Sequence, residues 1–453
     1  MLTVADNKAA KKKLYVKTYG CQMNVYDSLR MEDLFKSQYE LAQDFNSADL
    51  VILNTCHIRE KAAEKVYSEL GRINQEKQRL KNEYNRHMVI AVAGCVAQAE
   101  GDQIIKRAPF VDVVVGPQSY HNLPDLVKRI NNQEAVERIC LDFTEEKKFD
   151  YLPEERSSNS AAAFLSIQEG CDKFCSFCVV PYTRGAEFSR PQNDIITEAK
   201  RLVDSGVKEI TLLGQNVNGY HGLNEQGQIS NLGKLIFALE KISGLERIRY
   251  TTSHPRDMHD ELYEAHALSQ KLMPFLHLPV QSGSNNILQA MNRKHDRDTY
   301  FAIIEKLRIA RPDIALSSDF IVGFPGETDQ DFADTLDLVK QVGFAQCYSF
   351  KYSPRPGTPA ALKEEQVAED IKSARLQKLQ NLLTSQQHEF NNSLEGKTIP
   401  VLFDRMSDKQ LLGRSPYLQT VCVVKNKEQF NQILPVHITR GGPHSLTGEV
   451  VNC

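Results

Sequence analysis

Nowhere in the chain is there an apolar run long enough to span a bilayer. The opening residues, MLTVADNKAAKKKLYVKTYG, are polar and lysine-rich, with no apolar stretch of signal-peptide length. A cytoplasmic protein is therefore expected. Cysteine is sparse: ten in 453 residues is too few for a secreted disulfide scaffold, and in a reducing compartment clustered thiols bind metal or do chemistry. Excess positive charge is missing as well. With a formal net charge of −3, any nucleic-acid site must be a local basic patch. The chain holds no second Cys-x-x-Cys, so a structural zinc site built from two such pairs is disfavoured.

What is present is an ordinary globular composition, 41% hydrophobic and 25% charged. The length exceeds what one hydrophobic core supports, so two or three domains are expected. Residues 12–143 repeat one unit, an apolar run followed by a helical pattern: LYVKTYG, ADLVILNT, MVIAVAG, VDVVVGP. That alternation predicts a parallel, doubly wound α/β domain. Three of the runs stop at a cysteine, namely Cys21, Cys56 and Cys95. They are far apart in sequence, but the carboxyl ends of parallel strands share one edge, where ligands bind, so the three can meet there as a metal site. His57 is left out, because a lone histidine at a helix start more often caps or faces solvent.

Residues 144–163, TEEKKFDYLPEERSSNSAAA, are charged and then serine-rich, and read as a linker. From 164 to 390 strands and helices alternate again, with six candidate strands: AAFLSIQEG, KEITLLGQN, LERIRYTTSHP, FLHLPVQSG, IALSSDFIVGF and AQCYSFKYSP. Six such units predict a partial (β/α)6 barrel with a trailing helix and functional groups at the strand ends. Just after its first strand, CDKFCSFC sets Cys171, Cys175 and Cys178 close together without a fourth. Three soft thiolates with an open position suit an iron–sulfur cluster better than zinc. Such a cluster normally takes four cysteines, so three leave one iron vacant.

Cys-x-x-x-Cys-x-x-Cys after the first strand of a six-unit barrel resembles the radical S-adenosylmethionine (SAM) superfamily. TYGCQMNVYDS, NTCHIREKAAEKVY, AGCVAQ, CSFCVVPYTRGAEFSRP, LLGQNVNGY, LPVQSGSN, DFIVGFPGET and YSPRPGTPA, in order along nearly the whole chain, are similar to the radical SAM methylthiotransferases. The similarity is to the branch acting on N6-isopentenyladenosine in tRNA; relatives with other substrates share both cysteine triads but not TYGCQMN or NTCxIREKA. His57 departs from the serine or alanine expected there. The resemblance implies two 4Fe-4S clusters, one on Cys171, Cys175 and Cys178 whose open iron takes SAM, and an auxiliary one on Cys21, Cys56 and Cys95. It implies 2-methylthiolation at C2 of the adenine, with SAM as both radical source and methyl donor. That C–H bond offers acid–base catalysis no acidic proton, so a radical route is understandable.

Around the first triad, Phe177 is placed either on the SAM adenine or in the core. Gly214, Gln215 and Asn216 at a strand end, Gln281 in LPVQSG, and Ser317, Asp319 and Gly323 in SSDFIVG complete the expected cofactor contacts. No residue is singled out as catalytic by itself. Arg184 and Arg190 in TRGAEFSRP are candidates for tRNA phosphates or for charge balance at the neighbouring cluster. From 391 to 453 the period changes to two, and KTIPVLFD, LQTVCVVK, PVHITRGG and HSLTGEVV predict a small antiparallel β-barrel similar to the TRAM RNA-binding domain. Arg405 and Arg414 are its tRNA candidates. Expected partners are tRNA, through an anticodon stem-loop bearing isopentenyladenosine, and an external one-electron donor; no membrane is expected, and the chain is read as a monomer. Two readings stay open at this level: the same chemistry on another tRNA adenosine or on a ribosomal protein side chain, and a non-catalytic, zinc-stabilised RNA-binding module. Cys140, Cys347, Cys422 and Cys453 default to incidental cysteines.

Overall fold

Alternating apolar runs and amphipathic stretches leave the chain little choice but layered α/β structure. The computed structural model describes residues 11–56, 60–143, 148–154 and 160–451, with backbone only at 60–63. His57, Cys453 and residues 144–147 and 155–159 of the expected linker lie outside the described residues. Two compact units result, one of residues 1–157 with 182–185, the other of 158–181 with 186–453.

The first unit is a six-stranded sheet in the order β2-β1-β3-β4-β5-β6, parallel throughout. Its strands are β1 (Lys12–Thr18), β2 (Tyr39–Leu41), β3 (Leu50–Thr55), β4 (Val89–Gly94), β5 (Val113–Val115) and β6 (Ile139–Cys140). The order of the first five is that of a doubly wound, flavodoxin-like sheet. Every residue of β3 and β4 is buried, as strands covered on both faces must be. Leu50 and Ile52 face one core with Met31 and Phe35 of α1 (Gln22–Phe35), while Val51 and Leu53 face the other with Val66 and Leu70 of α2 (Glu60–Tyr84). The short helices α3 (Cys95–Glu100), α4 (Asp102–Arg107) and α5 (Leu123–Asn131) complete the unit.

In the second unit all six expected barrel strands form. β7 (Ala162–Ser166) is followed by a two-residue hairpin of β8 (Gln168–Glu169) with β9 (Phe188–Ser189), then β10 (Glu209–Leu213) and β11 (Arg247–Tyr250). β12 (Phe275–His277), β13 (Ala315–Val322) and β14 (Gln346–Lys351) follow. They pair in parallel as β11-β10-β7 and β12-β13-β14, and a parallel bridge between Ile248 and Leu272 leads from β11 toward β12. Helices α7 (Gln192–Asp204), α8 (Leu232–Glu240), α9 (Asp260–Leu268), α10 (Asn285–Ala290), α11 (Arg297–Ala310) and α12 (Asp329–Val342) alternate with them, while the short α6 (Val180–Arg184) starts in this unit and ends in the first. Ile210, Leu212, Ile248, Leu276 and Leu316 join the core shared with the helices. By strand alternation Arg247, Arg249, His277, Ser317 and Asp319 face the other, concave side.

Helix α13 (Glu369–Asn392) leads to a closed barrel of β15 (Thr398–Met406), β16 (Gln410–Arg414), β17 (Thr420–Val424), β19 (Ser445–Val450) and β18 (Ile433–Gly441), in that spatial order. β17 and β19 pair in parallel, so closure is not purely antiparallel as expected. This barrel covers the lower concave face of the second unit. Arg249 donates to the carbonyls of Ser415 (2.7 Å) and Pro416 (2.8 Å), and Arg247 to Pro400 O at 2.8 Å. Buried Glu209 accepts from Arg249 at 2.9 Å and lies 3.5 Å from Arg414. Among the described residues no helix is long and apolar enough to cross a membrane.

Candidate functional site

The three cysteines of the first unit follow three adjacent strands. Cys21 is the N-cap of α1 after β1, Cys56 directly follows β3, and Cys95 opens α3 after β4. Two glycines let these turns approach. Gly20 (φ +127°) leaves no room for a side chain, since a Cβ would stand 2.1 Å from that of Cys56. Gly94 (φ +92°) would place one 2.4 Å from Thr55 O. Positive φ and zero clearance together make glycine obligatory before Cys21 and Cys95. A buried lattice supports the cluster of turns: Asn54 Nδ2 donates to Asn24 O (2.8 Å) and Ser28 Oγ (2.9 Å), and Cys21 Sγ donates to Asn24 Oδ1 at 3.3 Å.

The thiols sense one another. A hydrogen bond with Cys56 lowers the pKa of Cys21 against its burial, with help from the positive charge of Arg184. Burial raises that of Cys95, opposed by the same guanidinium.

In the second unit Cys171, Cys175 and Cys178 sit on the loop after β8. Cys178 N donates to Cys175 O at 2.9 Å, and Ser176 ties the loop to α10 through Met291 O (3.0 Å) and Ala290 O (2.9 Å). Buried Arg293 is the main anchor, donating to Cys175 Sγ at 3.4 Å and to Pro279 O at 2.5 Å. Burial pushes Cys171 up to about 11 and Cys178 up to about 12, so both are neutral thiols until a cation draws off their protons. Among the described residues no three Cys, His, Asp or Glu side chains converge tightly enough for a single metal ion. Three thiolates without a fourth suit an iron–sulfur cluster with one open iron better than structural zinc.

Gly214, Gln215 and Asn216 fall beside this loop. Gln168 organises them: its Oε1 accepts from the amides of Gln215 (2.8 Å) and Asn216 (3.0 Å), and its Nε2 donates to Gly170 O (2.8 Å). Gln215 returns a contact by accepting from Gly170 N at 2.6 Å. Gly214 presses so closely that a Cβ would lie 2.9 Å from Gln168 O. Asn216 donates to Asp257 (2.7 Å), which also pairs with Lys173 at 2.8 Å. On the concave face Ser317 is hydrogen-bonded to His277 Nδ1 (2.9 Å), and Asp319 stands 3.5 Å from His277 Nε2. Gln281 (φ +76°) accepts from Ile321 N at 2.9 Å, next to those strands. Gly323 (φ +68°) donates its amide to Glu327 at 2.8 Å, under the stem of Lys372. Phe177 packs with Ile287, Met291, Phe324 and Tyr352, so the structure puts it in an apolar cluster.

The arginines divide differently from expectation. Arg184, 3% exposed, belongs to the first unit and pairs with buried Asp27 at 2.7 Å, which places it at the Cys21, Cys56 and Cys95 site rather than at the adjacent triad. Arg190 is also buried, donating to Ser166 O (2.7 Å) and pairing with Glu198 (2.8 Å). Arg414 pairs with Asp404 at 2.5 Å and lies toward Glu209. A phosphate contact through any of these three would first have to break a buried pairing, whereas Arg405 stays half exposed. Gln168, Lys173, Asp257, His277 and Arg293 escaped sequence reading, because their partners lie tens of residues away with no local motif.

The chain matches the Uncharacterized protein family UPF0004 over residues 13–116 and the Radical SAM superfamily over residues 165–339. It resembles the structure of the radical S-adenosylmethionine methyltransferase TsrM from Kitasatospora setae, with a TM-score of 0.59 over 78% of this chain and 77% of that one, at 12% identity. That likeness concerns the fold. Fold and cysteine loop together define a radical SAM protein carrying an extra N-terminal α/β unit. At higher resemblance, a protein of Rickettsia bellii named tRNA-2-methylthio-N(6)-dimethylallyladenosine synthase is 60% identical over 443 residues, covering 97% of this chain and 99% of that one. One of the same name from Rickettsia felis is 60% identical over 444 residues, covering 97% and 100%. The chain belongs to the tRNA-2-methylthio-N(6)-dimethylallyladenosine synthase family.

Proposed function

We propose that this chain is a radical SAM methylthiotransferase that places a methylthio group on C2 of N6-dimethylallyladenosine in tRNA. The observation that carries the reading is the pair of three-cysteine sites, each short of a fourth cysteine, in a chain 60% identical over nearly its full length to synthases of that name. Two 4Fe-4S clusters and SAM, when bound, supply the one-electron chemistry and the sulfur transfer that an unactivated C–H bond needs. The residues do the rest. Cys171, Cys175 and Cys178 would hold one cluster, steadied by Arg293 at Cys175, and Cys21, Cys56 and Cys95 the other.

Backbone at Gly214, Gln215 and Asn216, fixed by Gln168, would receive SAM together with Gln281, Ser317, Asp319 and Gly323. His277 keeps Ser317 and Asp319 oriented toward the concave face. Arg405 and the closed C-terminal barrel would meet the tRNA backbone; anticodon-loop bases are single-stranded and open to a pocket. On this reading the chain works in the cytoplasm as a monomer, with an external one-electron donor.

The test incubates reduced, reconstituted protein with SAM and tRNA that does or does not carry the isopentenyl group, followed by nucleoside mass spectrometry. The expected product is 2-methylthio-N6-isopentenyladenosine from the first tRNA alone. No methylthiolated nucleoside from either tRNA would contradict the reading.

A further inference from the structure

Arg184 is out of place for its sequence. It follows Cys178 by six residues, yet its side chain is buried at the other cysteine site. Its Nη2 pairs with Asp27 Oδ2 at 2.7 Å, and the two side chains are 3% and 1% exposed. Its carbonyl accepts from Gln118 Nε2 at 3.1 Å, and Gly185 (φ +80°) turns the chain immediately after it. Asp27 lies on α1, whose N-cap is Cys21. The positive charge of the guanidinium favours the thiolate forms of both Cys21, which caps α1, and Cys95, which opens α3. A permanent charge has thus been taken out of water and fixed by a carboxylate on the helix that Cys21 caps.

Such burial is costly unless the cation has further work. Thiolate-held clusters are anionic, and their potentials follow net charge and the hydrogen bonds to their sulfurs. Coulomb interactions are strong in so dry a place. Arginine suits the role because it never loses its proton and its planar fork holds a carboxylate in a fixed geometry.

We propose that Arg184 is a positioning residue for the Cys21, Cys56 and Cys95 site, its buried positive charge setting the potential of the cluster held there, with Asp27 moderating that charge. This rests on the reading of the triad as a cluster site. Of the two roles expected for Arg184, tRNA phosphate contact or charge balance at a cluster, this is the second.

The test uses full-length, reconstituted protein with Cys175→Ala, so that only the auxiliary cluster is observed, and measures its midpoint potential and iron content. Adding Arg184→Gln should move the potential to more negative values, and Arg184→Lys should restore part of the shift. Asp27→Asn, which keeps the arginine and removes its counter-charge, should move the potential the opposite way. Potentials unmoved by Arg184→Lys and Asp27→Asn, or moved in the same direction, would overturn the proposal, and these milder variants decide it if Arg184→Gln fails to fold. If Cys175→Ala protein takes up no iron at all, the cluster reading itself fails, which is distinguishable from failure of the arginine's role.

Discussion

Glycine does as much as cysteine at the auxiliary site. Gly20 and Gly94 each precede a cysteine, each has a positive φ, and each faces a neighbouring strand end with no clearance. Replacing Gly94 by alanine adds a Cβ 2.4 Å from a backbone carbonyl in a conformation L-residues avoid, which costs about 1–3 kcal/mol in backbone strain before the clash. The turns bearing Cys56 and Cys95 must then separate. Gly94→Ala protein is expected to retain about half of the ~8 irons that two clusters would bring, with the Cys171 site intact. Full iron content by chemical analysis would show that the approach of these turns does not matter. The sequence carried this signal in the repeated Gly-Cys of YGCQ and AGCV, but only the fold shows which backbone each glycine must clear.

Elements with strong periodicity were legible, and those without it were not. β3, β4 and all six barrel strands stand where their apolar runs predict. β2 and β6 have three and two residues, too short to show a period, and the β8 and β9 hairpin is shorter than any pattern. β16, QLLGR, has only two apolar residues and was likewise not visible. Arg247 and Arg249 in β11 read as an ordinary polar alternation. In the fold they face Glu209 and the carbonyls of the C-terminal barrel, which explains both their burial and why Arg414 is committed there.

Glu209→Gln would leave Arg247 and Arg249 without their carboxylate while Arg414 keeps Asp404, and losing one partner of a buried ionic set costs about 3–5 kcal/mol. Attraction to Arg249, Arg414 and Arg247 outweighs burial and holds the Glu209 carboxyl below the usual carboxylate range. Its contribution is therefore complete at neutral pH and fades only as pH falls through that depressed value. Denaturation of the parent and Glu209→Gln proteins should differ most at pH 7, keep that difference through pH 5, and converge only in stronger acid. A difference that vanishes already near pH 5 would contradict the pairing.

For the whole molecule, the decisive feature is duplication of the same incomplete ligand set in two different units. One triad is compact in sequence and the other is assembled by a parallel sheet, and the two are expected to have separable tasks. On the proposed reading the first would serve SAM cleavage and the second sulfur transfer. Removing Cys56 should therefore uncouple them. The most direct measurement quantifies 5′-deoxyadenosine and 2-methylthio-N6-isopentenyladenosine in parallel, using Cys56→Ala protein supplied with SAM, reductant and isopentenylated tRNA. The account predicts continued formation of 5′-deoxyadenosine with no methylthiolated nucleoside, and methylthiolated product at the level of the unaltered protein would contradict it.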